Sequence, residues 1–488
     1  MASSASHCPD EYLGVRTLRT FIHPPADTSF IHSSVLSKIK VGRITVLTTE
    51  KTYTFGVLDA DLRATLQVKS DAFWMRVGLF TDLGLAEAFM FGDGKQDLFS
   101  EFRRTLTDPP DPASRLRGRV FPNTSEQSAI RHSSIDADER TKILIANRRE
   151  LTAVDTLLAS VLAKGRTLTS SKFIGSLTNS RANISAHYDI GNTMFSAFLS
   201  DDMNYSSAVF LDYNGDLDPT VSVRESLEEA QMRKLRLILK KANIQHGQRV
   251  LEIGTGWGSL AILAAKTFNC TVDTLTLSSN QAELARRRIA DAKLSDKITV
   301  HCMDFRDCRK NPQWAGSFDR FISVEMIEHV GKEFFEEYWA VADWALNPET
   351  GVGVVQGITI PESRVQGYDE NVFPGGYLPS FSLIVKTLNQ GSRGRLVMDS
   401  VLNIGPHYAR TLREWQRRFL DNWDSIVAKA LREEYDLDEQ GLEVFRRKWI
   451  CTSYCEAAFK TRTLGDHVVT FTREGNVAFG CDVPASLV

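Results

Sequence analysis

The stretch VLEIGTGWGSLA, Val250 to Ala261, puts Gly254, Gly256 and Gly258 between a short apolar run and the start of an amphipathic one. Glycines there let the backbone pass close to a ligand, and the first amides of the following helix face it. The same alternation continues outward. SLEEAQMRKLRLILKKANI, from Ser226, predicts a long amphipathic helix upstream, and SLAILAAKTF and NQAELARRRIADAKL predict helices between the strands RVLEIG, CTVDTLTL and KITVHCMDF. FDRFISVEM and GVGVVQGITI supply a fourth and fifth strand, separated by the helix KEFFEEYWAVADWAL. Strand and helix at this spacing predict βαβ units on a parallel sheet, an α/β fold.

A dinucleotide fingerprint, G-x-G-x-x-G, needs its third glycine at position 259, which is Ser259 here; Gly258 comes one place early. G-x-G-x-G with Glu252 two positions upstream is the pattern of Rossmann-like S-adenosylmethionine-dependent methyltransferases. On these residues alone, a nicotinamide site and a glycine turn without function stay open.

The chain has 488 residues, 42% hydrophobic and 24% charged, which suits more than one core. With 58 Lys plus Arg against 61 Asp plus Glu, and a pI near 6.4, nothing pulls it globally toward nucleic acid or anionic membrane. No nucleic-acid partner is expected, and basic contact with lipid would be local: Arg286 to Arg288, Arg417 and Arg418, or Arg446 to Lys448, each otherwise a solvated helix face. The longest apolar runs, TLLASVLA from Thr156 and GVGVVQGITI from Gly351, fall short of the roughly 20 residues a spanning helix needs. The N-terminus lacks the basic and apolar regions of a secretory signal. Seven scattered cysteines fit a reducing compartment, and Cys451 with Cys455 reads as core packing rather than structural zinc. A cytoplasmic protein, peripheral to the membrane and without a metal, is expected.

KIKVGRITVLTTEKTYTFGV and ATLQVKS, between Lys38 and Ser70, predict short antiparallel strands, and the apolar spacing from Asp71 to about 107 predicts helices packed on them. Residues 1–107 therefore read as a smaller α+β domain, 108–137 as a flexible linker rich in Pro, Ser and Arg, and 138–225 as a helical segment and substrate-side cap. Residues 226–488 read as the α/β core that carries the glycine loop, with a lid insertion at about 361–450 that includes Pro374, Gly375, Gly376 and Pro379.

Several motifs in order, AHYDIGNTMFSAFLSDDMNYSSAVF, EEAQMRKL, VLEIGTGWG, LTLSSNQ, FISVEMIEHVG, VFPGGYLPS and YCEAAFKTRTLG, resemble the cyclopropane fatty acid synthase family, which includes the mycolic acid cyclopropane synthases. The resemblance runs from about Arg181 to the C-terminus. More loosely, GRITVLTTEKTYTFG and DLGLAEAFMFGDG look like the N-terminal domain of the family's longer members, read here as a packing or dimerisation module that leaves a homodimer open.

This resemblance implies a class I methyltransferase that methylates the cis double bond of an unsaturated phospholipid acyl chain and closes a cyclopropane. Gly254, Gly256 and Gly258 would line the methionine end of S-adenosylmethionine, with Glu252 ordering the loop. Thr276 and Gln281 would contact ribose or adenosine, although both also suit a cap for the helix beginning near Asn280. Phe305 would pack adenine, and Tyr205 would approach from the substrate side beside His187, Tyr188 and Asp189.

The family's ring-closing base is a bound bicarbonate; Glu328, Tyr408 and the backbone of Ile358 match positions that hold it. Two positions depart: Ser207 stands where the family has Cys, and Gln356 where the bacterial pattern has His. Glutamine donates a hydrogen bond but carries no charge, so it favours an anion less than imidazolium does. The departures keep a methylene, methyl-alkene or methyl-alcohol product open, together with two rivals: a C-methyltransferase for a sphingolipid or polyene, and a silent S-adenosylmethionine-binding partner protein.

Overall fold

The computed structural model describes residues 36–59, 63–70, 191–217, 220, 224–363, 376–452 and 454–480. The helices expected in 71–107 and 138–165, the linker, His187, Tyr188, Asp189, Pro374 and Gly375 lie outside them. The chain divides into two compact units, 1–98 with 135–161 and 99–134 with 162–488.

In the first unit, β1 (Arg43–Leu47), β2 (Thr52–Gly56) and β3 (Arg63–Gln67) form a sheet in the order β2-β1-β3. The alternation in RITVL buries Ile44 and Val46 on one face. β2 is antiparallel to β1 as expected, but β3 runs parallel to it. Side-chain alternation fixes the buried face and leaves the partner's direction free.

The second unit begins, among the described residues, with α1 (Asn192–Ser196) and α2 (Leu227–Lys241), the latter started by a capping box between Ser226 and Glu229. There follow β4 (Arg249–Ile253), α3 (Ser259–Phe268), β5 (Thr271–Thr276), α4 (Ser279–Asp291), β6 (Ile298–Cys302), β7 (Arg320–Val324), α5 (Phe335–Ala345) and β8 (Val352–Thr359). The chain continues through α6 (Phe381–Ser392), β9 (Leu396–Asn403), α7 (Gly405–Asp421), α8 (Ala428–Tyr435), α9 (Glu439–Thr452), α10 (Tyr454–Lys460) and β10 (Gly465–Arg473).

Strands β4 to β8 are the five read from the sequence, all parallel, in a seven-stranded sheet ordered β6-β5-β4-β7-β8-β10-β9. β10 inserts antiparallel between β8 and β9. Both faces are covered, so adjacent strand residues serve opposite cores. Val250, Ile322 and Val354 pack toward α2, α3 and α4, whereas Leu251, Phe321 and Val355 pack toward α5 and α6. A third cluster, rich in aromatics, joins α1 and the 203–210 segment to α7 through α10. The stretch read as a lid insertion thus contains α6, which packs on α5 with Trp339 Nε1 donating to Thr387 Oγ1 at 3.1 Å, and the edge strand β9. Among the described residues no helix is long and apolar enough to cross a membrane.

Candidate active site

A cleft opens at the carboxyl ends of β4, β5 and β7, where parallel sheets bind their ligands. Glu252, Gly254, Gly256, Thr276, Gln281 and Phe305 line it from the sheet, and Met203, Asn204 and Tyr205 from the cap. All three loop glycines have positive φ, and Gly256 and Gly258 do different jobs. At Gly256 a Cβ would meet nothing within 4 Å, leaving room for a ligand. Gly258 does not border the cleft; a Cβ there would sit 3.4 Å from Ala285 Cβ, so this glycine lets α3 approach α4.

Below the loop, Thr274 Oγ1 donates to Glu252 Oε2 at 2.5 Å, and the Thr255 hydroxyl lies 2.8 Å from Thr274 Oγ1. Glu252 thus reaches the loop through two threonines, while burial pushes its carboxyl up to about 8. Thr276 Oγ1 donates to Gln281 Oε1 at 2.9 Å. Neither side chain caps α4: Ser278 does, accepting from the Gln281 amide. Both are left to face the cleft beside Phe305, a mix of polar groups and an aromatic ring that suits a nucleoside.

The cap reaches the loop through Trp257, whose Nε1 donates to Asn192 Oδ1 at 2.7 Å. Tyr205 stacks on Trp415 with ring centroids 5.1 Å apart and meets Phe195 edge-on at 5.3 Å. Burial first, and then the Glu325 charge, hold the Tyr205 phenol protonated.

Next to this aromatic wall lies a cluster of carboxyls. Glu325 follows β7 with φ of +48°, a left-handed conformation uncommon outside glycine. Its Oε1 accepts from the Ser207 amide and from Gln356 Nε2, each at 2.8 Å, and its Oε2 accepts from the Tyr408 hydroxyl at 2.7 Å. Gln356 Nε2 also donates to Asp466 Oδ2 at 2.9 Å. Glu328 Oε1 accepts from the Ile358 amide, and its buried Oε2 has no hydrogen-bond partner. Burial, and secondly the Glu325 charge, push Glu328 up to about 8. Glu325 and Asp466 are raised by the same desolvation. The buried Lys234, whose Nζ donates to Ser206 Oγ at 2.6 Å, supplies opposite charge to this group.

The five residues expected around an anion therefore do converge, but in two sets: Ser207, Gln356 and Tyr408 on Glu325, and Ile358 on Glu328. Glu325, Asp466 and Lys234 were not foreseen. An acid at the carboxyl end of a parallel strand is a signal that could have found Glu325; Asp466 arrives on β10, which the sequence reading did not contain. The basic clusters are largely internally paired. Arg288 donates to the carbonyls of Asp202 and Trp257, Arg418 pairs with Glu228, and Arg417 with Glu414 and Asp421.

A family model described as mycolic acid cyclopropane synthetase matches residues 176–464. The chain is 36% identical over 303 residues to the tuberculostearic acid methyltransferase UfaA1 of Mycobacterium tuberculosis, covering 60% of this chain and 66% of that one. It is 34% identical over 293 residues to the cyclopropane-fatty-acyl-phospholipid synthase of Escherichia coli K12, covering 59% and 66%. The chain thus spans just under two thirds of the length of either relative. The crystal structure of the mycolic acid cyclopropane synthase CmaA1 complexed with SAH and CTAB shares the fold, with a TM-score of 0.50 and 24% identity over 60% of this chain and 98% of that one.

Proposed function

The chain belongs to the mycolic acid cyclopropane synthetase family, and from that premise we propose that it methylates the cis double bond of an unsaturated phospholipid acyl chain, using S-adenosylmethionine, and closes a cyclopropane. The observation that carries this reading is a single cleft in which a glycine loop, an aromatic wall and a buried carboxyl cluster meet.

The cleft's residues fit S-adenosylmethionine: Gly256 leaves open space, Thr276 and Gln281 offer polar groups, and Phe305 offers a ring face. In this reading Gly254 and Gly256 hold the methionine end, Glu252 fixes the loop, Thr276 and Gln281 take the ribose, and Phe305 packs adenine. When bound, S-adenosylmethionine supplies an electrophilic methyl on a positively charged sulfur. Tyr205, held by Trp415, keeps water from the reacting carbon, and its ring face favours the cation left on the acyl chain. A base then removes a proton to close the ring. Bicarbonate, the base implied by family resemblance, does not fit these residues as they stand, since the Ser207 amide, Gln356 Nε2 and the Tyr408 hydroxyl all donate to Glu325.

Because an acyl chain in a phospholipid is met at a membrane surface, peripheral contact is part of this proposal. A second reading, a methyl-branched or methylene product from the same cation, is favoured by Gln356 in place of a chargeable imidazole.

The test is mass spectrometry of total lipids from a host lacking such an enzyme, with and without this protein, fed trideuteromethyl methionine. Monounsaturated chains gaining one methylene with two deuteriums support proton loss from the added methyl, and fragmentation separates ring from methylene. Three retained deuteriums indicate a methyl-alkene. No label in lipid, despite binding of S-adenosylmethionine by the purified protein, overturns the proposal.

A further inference from the structure

We propose that Glu325 is itself the base that closes the ring, its carboxylate taking the place of a bicarbonate ion; this rests on the acyl-methylation reading above. A carboxylate and a bicarbonate ion both present two oxygens on a planar carbon, and they compete for the same hydrogen-bond donors. Here the Ser207 amide, Gln356 Nε2 and the Tyr408 hydroxyl all donate to Glu325. A small anion placed there would find each donor engaged and a negative charge beside it.

Position separates Glu325 from its neighbour. Glu325 borders the cleft, whereas Glu328 does not and is 3% exposed. Only the former carboxylate can meet a proton on a substrate in the cleft. The backbone agrees: a φ of +48° is costly for a glutamate and is held here where the side chain collects three hydrogen bonds. Burial raises the carboxyl, which makes it a better proton acceptor, and the buried Lys234 supports its charged form.

The step balances without a further reactant. After methyl transfer, with the sulfur–carbon bonding pair left on sulfur, the acyl chain carries a cationic carbon beside the methylated one. One C–H bond of the added methyl breaks. Its electron pair forms the carbon–carbon bond that closes the ring, and the proton goes to Glu325, then to solvent as product leaves. Asp466, joined to Glu325 through Gln356 Nε2, positions the base.

The test uses the full chain with S-adenosylmethionine and vesicles of an oleoyl phosphatidylglycerol, in buffer stripped of carbon dioxide, with and without added bicarbonate. Release of S-adenosylhomocysteine and ring formation are followed separately, and binding of 13C-bicarbonate is measured by NMR without lipid. Wild type is expected to close rings at rates within about twofold in the two buffers and to bind no bicarbonate. Glu325→Gly, which suits the left-handed backbone and vacates the carboxylate's place, is expected to lose ring formation by about a hundredfold, recover about tenfold on adding bicarbonate, and bind the labelled ion. Glu325→Gln should lose the ring by a similar factor without recovery.

Bicarbonate binding by wild type, wild-type ring closure that falls about tenfold without the ion, binding by neither wild type nor Glu325→Gly, or undiminished ring formation by Glu325→Gln overturns the proposal. If neither variant folds, the two wild-type comparisons still decide it. Methyl transfer with bicarbonate-dependent ring closure defeats this inference alone, whereas no methyl transfer to any lipid defeats the acyl-methylation reading and this inference together.

Discussion

Tyr408 and Glu325, separated by 83 residues in sequence, meet through one hydrogen bond of 2.7 Å, and Phe459 stacks on the Tyr408 ring at 4.3 Å between centroids. The stack fixes where the hydroxyl points, and burial together with the Glu325 charge keeps the phenol protonated, so it donates to the carboxylate. Tyr408→Phe keeps the stack and removes the donor. Ring formation should slow by about ten- to a hundredfold, equivalent to about 1–3 kcal/mol for a lost bond to a charged group, and the carboxylate oxygen left unpaired should lower the melting temperature as well. Rates and thermal melts on the same preparation check this.

Glu328 makes stability depend on pH. Its carboxyl is raised from 4.5 to about 8, so between those values the folded state binds more protons than the unfolded chain. Its stabilising contribution is therefore complete below about 4.5 and is lost as pH rises through about 8, by at most about 1.4 kcal/mol per pH unit. His329, pushed by burial from 6.5 down to about 4, acts in the opposite sense over the lower part of that range. Glu328→Gln should flatten the fall in stability between pH 6.5 and 8, as read by urea unfolding at several pH values. An unchanged slope would assign the dependence to another group.

Gly256 and Gly258 should separate ligand binding from packing. Gly256→Ala meets no neighbour within 4 Å, so its stability cost is the left-handed backbone alone, about 1–2 kcal/mol, while its new methyl enters the cleft. Affinity for S-adenosylmethionine should fall by about tenfold or more. Gly258→Ala, pressed on Ala285, should cost at least as much stability with the smaller effect on affinity. Calorimetric titration paired with denaturation distinguishes the two.

Gln356→Met preserves bulk and removes the donor shared by Glu325 and Asp466. Two buried carboxyls then face one another without a bridge, and unfolding free energy should drop by about 1–3 kcal/mol. Denaturant melts of the variant against wild type measure the difference.

Most of the sheet was legible because a parallel strand buried on both faces reads as a near-continuous apolar run: RVLEI, RFISV and VGVVQGIT announce β4, β7 and β8 without help from their neighbours. β9 and β10 were not, since LVMDSVLN is an edge strand with one wet face and GDHVVTFTR pairs with residues far away. The site follows the same division. Gly254, Gly256, Thr276 and Gln281 sit in local motifs and do line the cleft. Which of two nearby acids receives the donors is a matter of backbone direction after β7: the positive φ at Glu325 turns that side chain toward Tyr408 and Gln356, and nothing in the letters SVEMIEHVG specifies that turn.

The place of β10 bears on how the protein is made. Until residues 465–473 emerge and slot between β8 and β9, β8 is left as a bare edge, and Gln356 lacks the Asp466 carboxylate it will later hold. A ribosome-bound chain can thus complete its cofactor loop well before its acid cluster. Translation order delivers the glycine loop before the strand that carries Asp466, and β8 keeps an unpaired edge in between.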